Sequence, residues 1–142
     1  GPAVTPSSEL TLGLTLVANL TPMSAMIRYR QTRPVSWIKA ARKDFEAFPE
    51  GAQADMLTAL TIAADGGFAS NVKPMKGLGA GVYEIALRHR SDAFRAVYTI
   101  QFAGALWVIH AFQKKSKSGI KTPQQEIDLI TDRIRRLREA LS

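Results

Sequence analysis

From Val82 onward the chain changes its hydrophobic period, and that change limits what it can fold into. Val82 to Arg90 alternates, with Tyr83, Ile85 and Leu87 on one side and Glu84, Ala86 and Arg88 on the other. Phe94 to Phe102 repeats the pattern. Phe94, Ala96, Tyr98, Ile100 and Phe102 point one way; Arg95, Val97, Thr99 and Gln101 point the other. Such alternation marks strands, because successive side chains of a strand face opposite sides of its sheet. Ala103-Gly104 is a turn, which makes the second run a hairpin with Ala105 to Phe112. Together these runs predict one antiparallel sheet with a single buried face.

Helical spacing flanks the strands. Ala40 to Phe48 carries Ala41, Phe45 and Phe48 on one face, and Pro49 interrupts it. A second helix is expected from Glu50 to Ala64, with Met56, Leu57, Leu60 and Ala64 on one side and Asp65-Gly66-Gly67 as its stop. Val35 to Ile38 reads as a short strand or a helix entry. Thr122-Pro-Gln-Gln125 fits a capping box with proline at the first helical position. Ile127, Ile130, Ile134, Leu137 and Leu141 then follow at spacings of 3, 4, 3 and 4. That stripe must be covered, by the sheet or by a partner protein, and the sheet is the expectation. Arg133, Arg135, Arg136 and Arg138 fall on the remaining, solvated faces. The predicted class is α+β: a small antiparallel sheet packed against two N-terminal helices and one C-terminal helix, with the helices on one side.

A length of 142 residues fits one domain. The sequence has no Cys, which excludes a disulfide scaffold and thiolate-held zinc, and fits a cytoplasmic protein. Two distant His leave little material for a metal site, so neither metal nor cofactor is expected. No apolar run approaches the roughly 18 residues of a membrane span. Gly1-Pro2 has the form of a cleavage scar, and Met26 suits a natural start. Residues 1–25 are therefore expected to be scar plus leader, in which Leu10 to Leu16 alternate, and 26–142 a single domain.

Charge points to a site. Between Lys73 and Lys121 lie nine Lys and Arg against only Glu84 and Asp92, so this segment carries the whole chain's +7. A concentrated positive field suits a polyanion such as nucleic acid, although many basic stretches are merely solvated surface. Glu84, Arg88 and Arg95 share the polar face, and His110, Phe112 and Lys114 share a face of the last strand. Lys73 and Lys76 precede a Gly77-Leu78-Gly79 bend that could wall the same cleft, and Lys115 and Lys117 follow the strand. Cleavage of RNA needs a base for the 2′-OH, cations for the phosphorane and an acid for the leaving oxygen. Glu84 or His110 are candidates for the base. Arg88, Arg95 and Lys114 are candidates to hold phosphate, and Phe112 or Tyr83 to stack a base. The plainer readings are a hydrogen-bonded core His110, a Glu84 paired with Arg88 or Arg95, aromatic residues in the core, and Lys73 and Lys76 simply exposed.

Ordered motifs carry a family resemblance. Lys73-Pro-Met-Lys-Gly-Leu-Gly, Gly81-Val-Tyr-Glu-Ile, Phe94-Arg-Ala-Val-Tyr and His110-Ala-Phe-Gln-Lys-Lys-Ser resemble the phage-derived HigB-like toxins of the RelE/ParE superfamily. Trp37, Arg42-Lys-Asp-Phe, Phe48-Pro and Pro123-Gln-Gln-Glu-Ile fit as well, so the likeness runs from Pro34 to Leu141. It implies a RelE-like fold and the toxin of a type II toxin–antitoxin system. It also implies ribosome-dependent mRNA cleavage without a metal, a HigA-like helix-turn-helix antitoxin, and operator DNA bound through that antitoxin. Within the resemblance, Arg95 matches the arginine that contacts the scissile phosphate. Lys114 and Lys115 lie where RelE has a further functional basic residue. RelE proper has two lysines where this chain has Glu84 and Ala86, and its C-terminal tyrosine is not evident. Either Glu84 then acts as base, or Arg88 and the Lys114–Lys117 run supply the charge. The alternatives are a ParE-like gyrase poison and a catalytically weak RNA-binding module.

Overall fold

The computed structural model describes residues 32–102, 104–114 and 121–141. The leader, residue 103 of the expected turn, and Lys115 and Lys117 lie outside the described residues. The described elements are β1 (Val35–Trp37), α1 (Lys39–Glu46), α2 (Glu50–Ala64), β2 (Val72–Pro74), β3 (Val82–His89), β4 (Asp92–Thr99), β5 (Leu106–Lys114) and α3 (Gln124–Leu141). The strands form one sheet in the order β1-β5-β4-β3-β2. The β2–β3, β3–β4 and β4–β5 pairs are antiparallel, as the alternation predicts. β1 adds a parallel edge on β5, with Val35 opposite Leu106 and Trp37 opposite Val108. The sheet is therefore mixed, and Val35 to Trp37 is a strand rather than a helix entry.

Each face of this sheet has its own apolar layer. On the first, α1 and α2 bury Ala41, Phe45, Ala52, Met56 and Leu60 against Ile85, Phe94, Ala96, Tyr98 and Val108. Gln53 closes the corner between the two helices by donating its amide to the carbonyls of Glu46 and Phe48, which the end of α1 leaves without intrahelical partners. Leu57, expected inside, is exposed. On the opposite face, Ile130, Ile134 and Leu137 of α3 pack on Val82, Val97 and Ile109. This overturns the expectation of a single buried face with helices on one side. A 3–4 stripe shows that a helix buries one side, but it does not say which side of a sheet receives it.

Two local devices shape the second face. A bulge between Val97 and Tyr98 leaves Ile109 as the extra residue of β5, because His110 pairs with Val97 and Val108 with Tyr98. The inserted residue lets both Ile109 and His110 serve the α3 side. The β2–β3 loop turns through Gly79 and Gly81, at φ of +90° and +84°. Gln101 holds that loop to α3: its amide donates to Leu78 O at 3.2 Å, and its Oε1 accepts from Arg138 at 3.2 Å.

Candidate nucleic-acid interface

The strand register sorts the candidate residues into rows on the α3 face. Lys73, Glu84, Val97 and His110 form one row; Ala86, Arg95 and Phe112 the next; Arg88, Ala93 and Lys114 the third. The register thus brings the two sets read from sequence, Glu84, Arg88 and Arg95 and then His110, Phe112 and Lys114, to one face. Lys73 joins them from β2, with its side chain half exposed. Lys76 is exposed in the turn beyond β2, outside the strand pairing.

Glu84 is the hub. It is 0% exposed, and Arg95, at 6%, donates to its Oε1 at 3.1 Å. Lys73 Nζ lies 4.0 Å from the same oxygen. Thr122 donates its hydroxyl to Oε2 at 2.6 Å and accepts from Arg95 at 3.4 Å. The residue expected to cap α3 therefore turns its hydroxyl to the sheet. Of the two readings of Glu84, the structure forms the pair with Arg95. An arginine inside an apolar strand is tolerated here because the carboxylate and hydroxyl meet it; a buried charge left without such partners is costly.

Lys114 is buried at the end of β5. Its pKa is pushed down, first by desolvation and then by the positive charge of Arg95; Glu84 opposes this, and Lys73 adds to it. Lowering follows because both burial and like charge disfavour the ammonium form. Arg88 stands exposed in the same row, while Ala86, Ala93 and Phe112 are half-buried. The small alanines leave the outer rows shallow. Phe112 stacks on His110, with ring centroids 5.1 Å apart.

His110 is held at both nitrogens. Nδ1 lies 3.0 Å from Arg133 Nη1, which also donates to Ile109 O at 3.0 Å, and Nε2 lies 2.6 Å from Glu126 Oε1. A guanidinium can only donate, so Nδ1 accepts and Nε2 carries the proton toward Glu126. The imidazole is thereby a strut between β5 and α3, which agrees with the plainer reading of this residue. Three participants escaped the sequence as site residues: Thr122 read as a cap, Arg133 as a solvated position, and Glu126 given no role. Nothing local to α3 marks them, since their partners lie on other strands.

Among the described residues, no group of three or more His, Cys, Asp or Glu is placed to hold a metal ion. No described helix is long and apolar enough to cross a membrane. The face presents positive charge at Arg88 and at the Lys114 end of β5, with the half-buried ring of Phe112 between His110 and Lys114 along the strand.

The sequence profile of the phage-derived Gp49-like proteins matches residues 43–135. No curated protein matches the chain. Among solved structures, an arginine-to-alanine double mutant of the E. coli toxin RelE in the free state has the same fold, at TM-score 0.51 and 15% identity. That likeness covers 74% of this chain and 97% of that one.

Proposed function

The chain belongs to the phage-derived Gp49-like protein family, and on that footing we propose that it is the toxin of a bacterial type II toxin–antitoxin pair, cleaving mRNA on the ribosome. The observation that carries the reading is the cationic row structure of the α3 face: Arg95 and Lys114 beside exposed Arg88 and half-buried Phe112. The likeness to a RelE fold adds support.

In this reading Phe112 stacks a base and Arg88 takes a flanking phosphate. Arg95 and Lys114 stabilise the dianionic phosphorane formed when the 2′-oxygen attacks. Lys114, its pKa lowered, is suited to give a proton to the leaving 5′-oxygen. Glu84 and His110 are both saturated with partners. The acceptor of the 2′-OH proton then comes from outside the chain, which is the physical reason for ribosome dependence. The partners are a HigA-like helix-turn-helix antitoxin, operator DNA through that antitoxin, and translating ribosomes in the cytoplasm.

The test is message integrity in a purified translation system, with and without ribosomes. Arg95→Lys is the variant of choice, because it keeps a cation beside Glu84 while removing the guanidinium fork. Wild type should cut only translated message, and the variant should cut about 100-fold more slowly. Intact message with wild type overturns the reading and turns attention to gyrase-linked DNA cleavage.

A further inference from the structure

Glu84 is surrounded by groups that suit a phosphate better than they suit a structural carboxylate. Arg95 from β4 and Lys73 from β2 approach Oε1, at 3.1 and 4.0 Å. Thr122, leading into α3, donates to Oε2 at 2.6 Å. Lys114 of β5 stands on the same sheet face, in the row next to that of Arg95. Three separate segments thus aim donors at one fully buried carboxylate, and two cations meet it where one would neutralise it. A buried ion pair gains little over an apolar replacement of the same shape, so fold stability does not call for this arrangement. Two acceptor oxygens on one centre, met by a guanidinium, an ammonium and a hydroxyl, is the way proteins hold a phosphate.

We infer that Glu84 stands in for a substrate phosphate: Lys73, Arg95, Lys114 and Thr122 form a phosphodiester site that the chain's own carboxylate fills until RNA displaces it. Lys73 and Thr122 then become phosphate ligands, and Glu84 a competitor rather than a base. The inference rests on the RNA reading above, and its test reads binding alone, so the two can fail separately.

The experiment titrates inorganic phosphate and a 2′-deoxy oligonucleotide, which cannot be cut, into wild type and Glu84→Gln by calorimetry. Glu84→Gln should bind both at least tenfold more tightly. Unchanged or weaker binding overturns the inference. Should Glu84→Gln fail to fold, the wild type still decides. Saturation with the oligonucleotide should shift the Glu84 carboxyl ¹³C signal as it leaves Thr122, and an unmoved signal in the saturated complex overturns the inference. Tight phosphate binding with no oligonucleotide binding would assign the site to free phosphate, overturning the phosphodiester ligand. Tight oligonucleotide binding with no message cleavage would leave the inference standing and sink the nuclease.

Discussion

Breaking the Glu84–Arg95 pair from one side should cost far more than removing it from both. The two charges are 3.1 Å apart, with side chains 1% and 7% exposed. At an effective dielectric of 20, their attraction is about 5 kcal/mol. Most of that repays desolvation, so the net value of the pair is small, but the loss of one partner exposes the full penalty of the other. Arg95→Met leaves Glu84 buried with Thr122 and the distant Lys73; Glu84→Leu leaves Arg95 buried without its carboxylate. Each should destabilise by about 3–5 kcal/mol. For a domain of this size that is roughly a 10–20 °C loss in Tm. The double variant removes both buried charges and leaves the Thr122 hydroxyl without its carboxylate, which costs about 1–3 kcal/mol. The assay is urea unfolding of all four proteins as a double-mutant cycle. A coupling energy of about 3 kcal/mol or more is expected. If the double variant falls by the sum of the two single losses, the pair is uncoupled and the account of why Arg95 tolerates burial is wrong. The same cycle explains why Arg95→Ala is a poor catalytic control: lost activity would include lost fold.

Other outcomes follow from single contacts. Ile130 is 0% exposed between α3 and the sheet, so Ile130→Ala should cost about 2–5 kcal/mol in urea unfolding, against almost nothing if α3 only perches on that face. Arg90 and Ser91 turn the β3–β4 hairpin with φ of +52° and +77°; Arg90→Asn with Ser91→Gly should raise stability by about 1 kcal/mol or more, read as a higher Tm. Tyr98 has a buried hydroxyl without a hydrogen-bond partner among the described residues, and burial, with the Tyr83 charge adding, pushes its pKa up to about 12. The native state therefore holds the phenol proton when the unfolded state has lost it. The contribution of Tyr98 to stability should be level below pH 10 and decline as pH rises from 10 to 12, so Tyr98→Phe should lose less stability than wild type across that window. The ¹⁵N spectrum of His110 should show a protonated Nε2 and a bare Nδ1, and Arg133→Ala should disturb that pattern; a protonated Nδ1 would contradict the strut geometry.

Much of the architecture was legible without coordinates, because the information is local. Alternation put Tyr83, Ile85 and Leu87 against α1 and α2, and Glu84, Ala86 and Arg88 on the other face, since a strand's period alone decides which residues share a side. The second helix runs from Glu50 to Ala64, as Pro49 and Asp65-Gly66-Gly67 require. The same counting put Arg88 with Arg95, and Phe112 with Lys114, but the β4–β5 register is what brings the two pairs to one face. What remained hidden depends on elements meeting at a distance. The parallel edge β1 depends on Val35 finding Leu106, and the bulge at Ile109 depends on how β5 fits β4. The Thr122–Glu84 bond spans 38 residues, and the Arg133–His110 bond 23. Local sequence determined which side of each element is apolar and which is charged. Only tertiary packing decided that α3 covers the charged side, because a helix stripe carries no record of the surface it meets, and that covering is what turned Glu84 from an apparent surface acid into a buried hub.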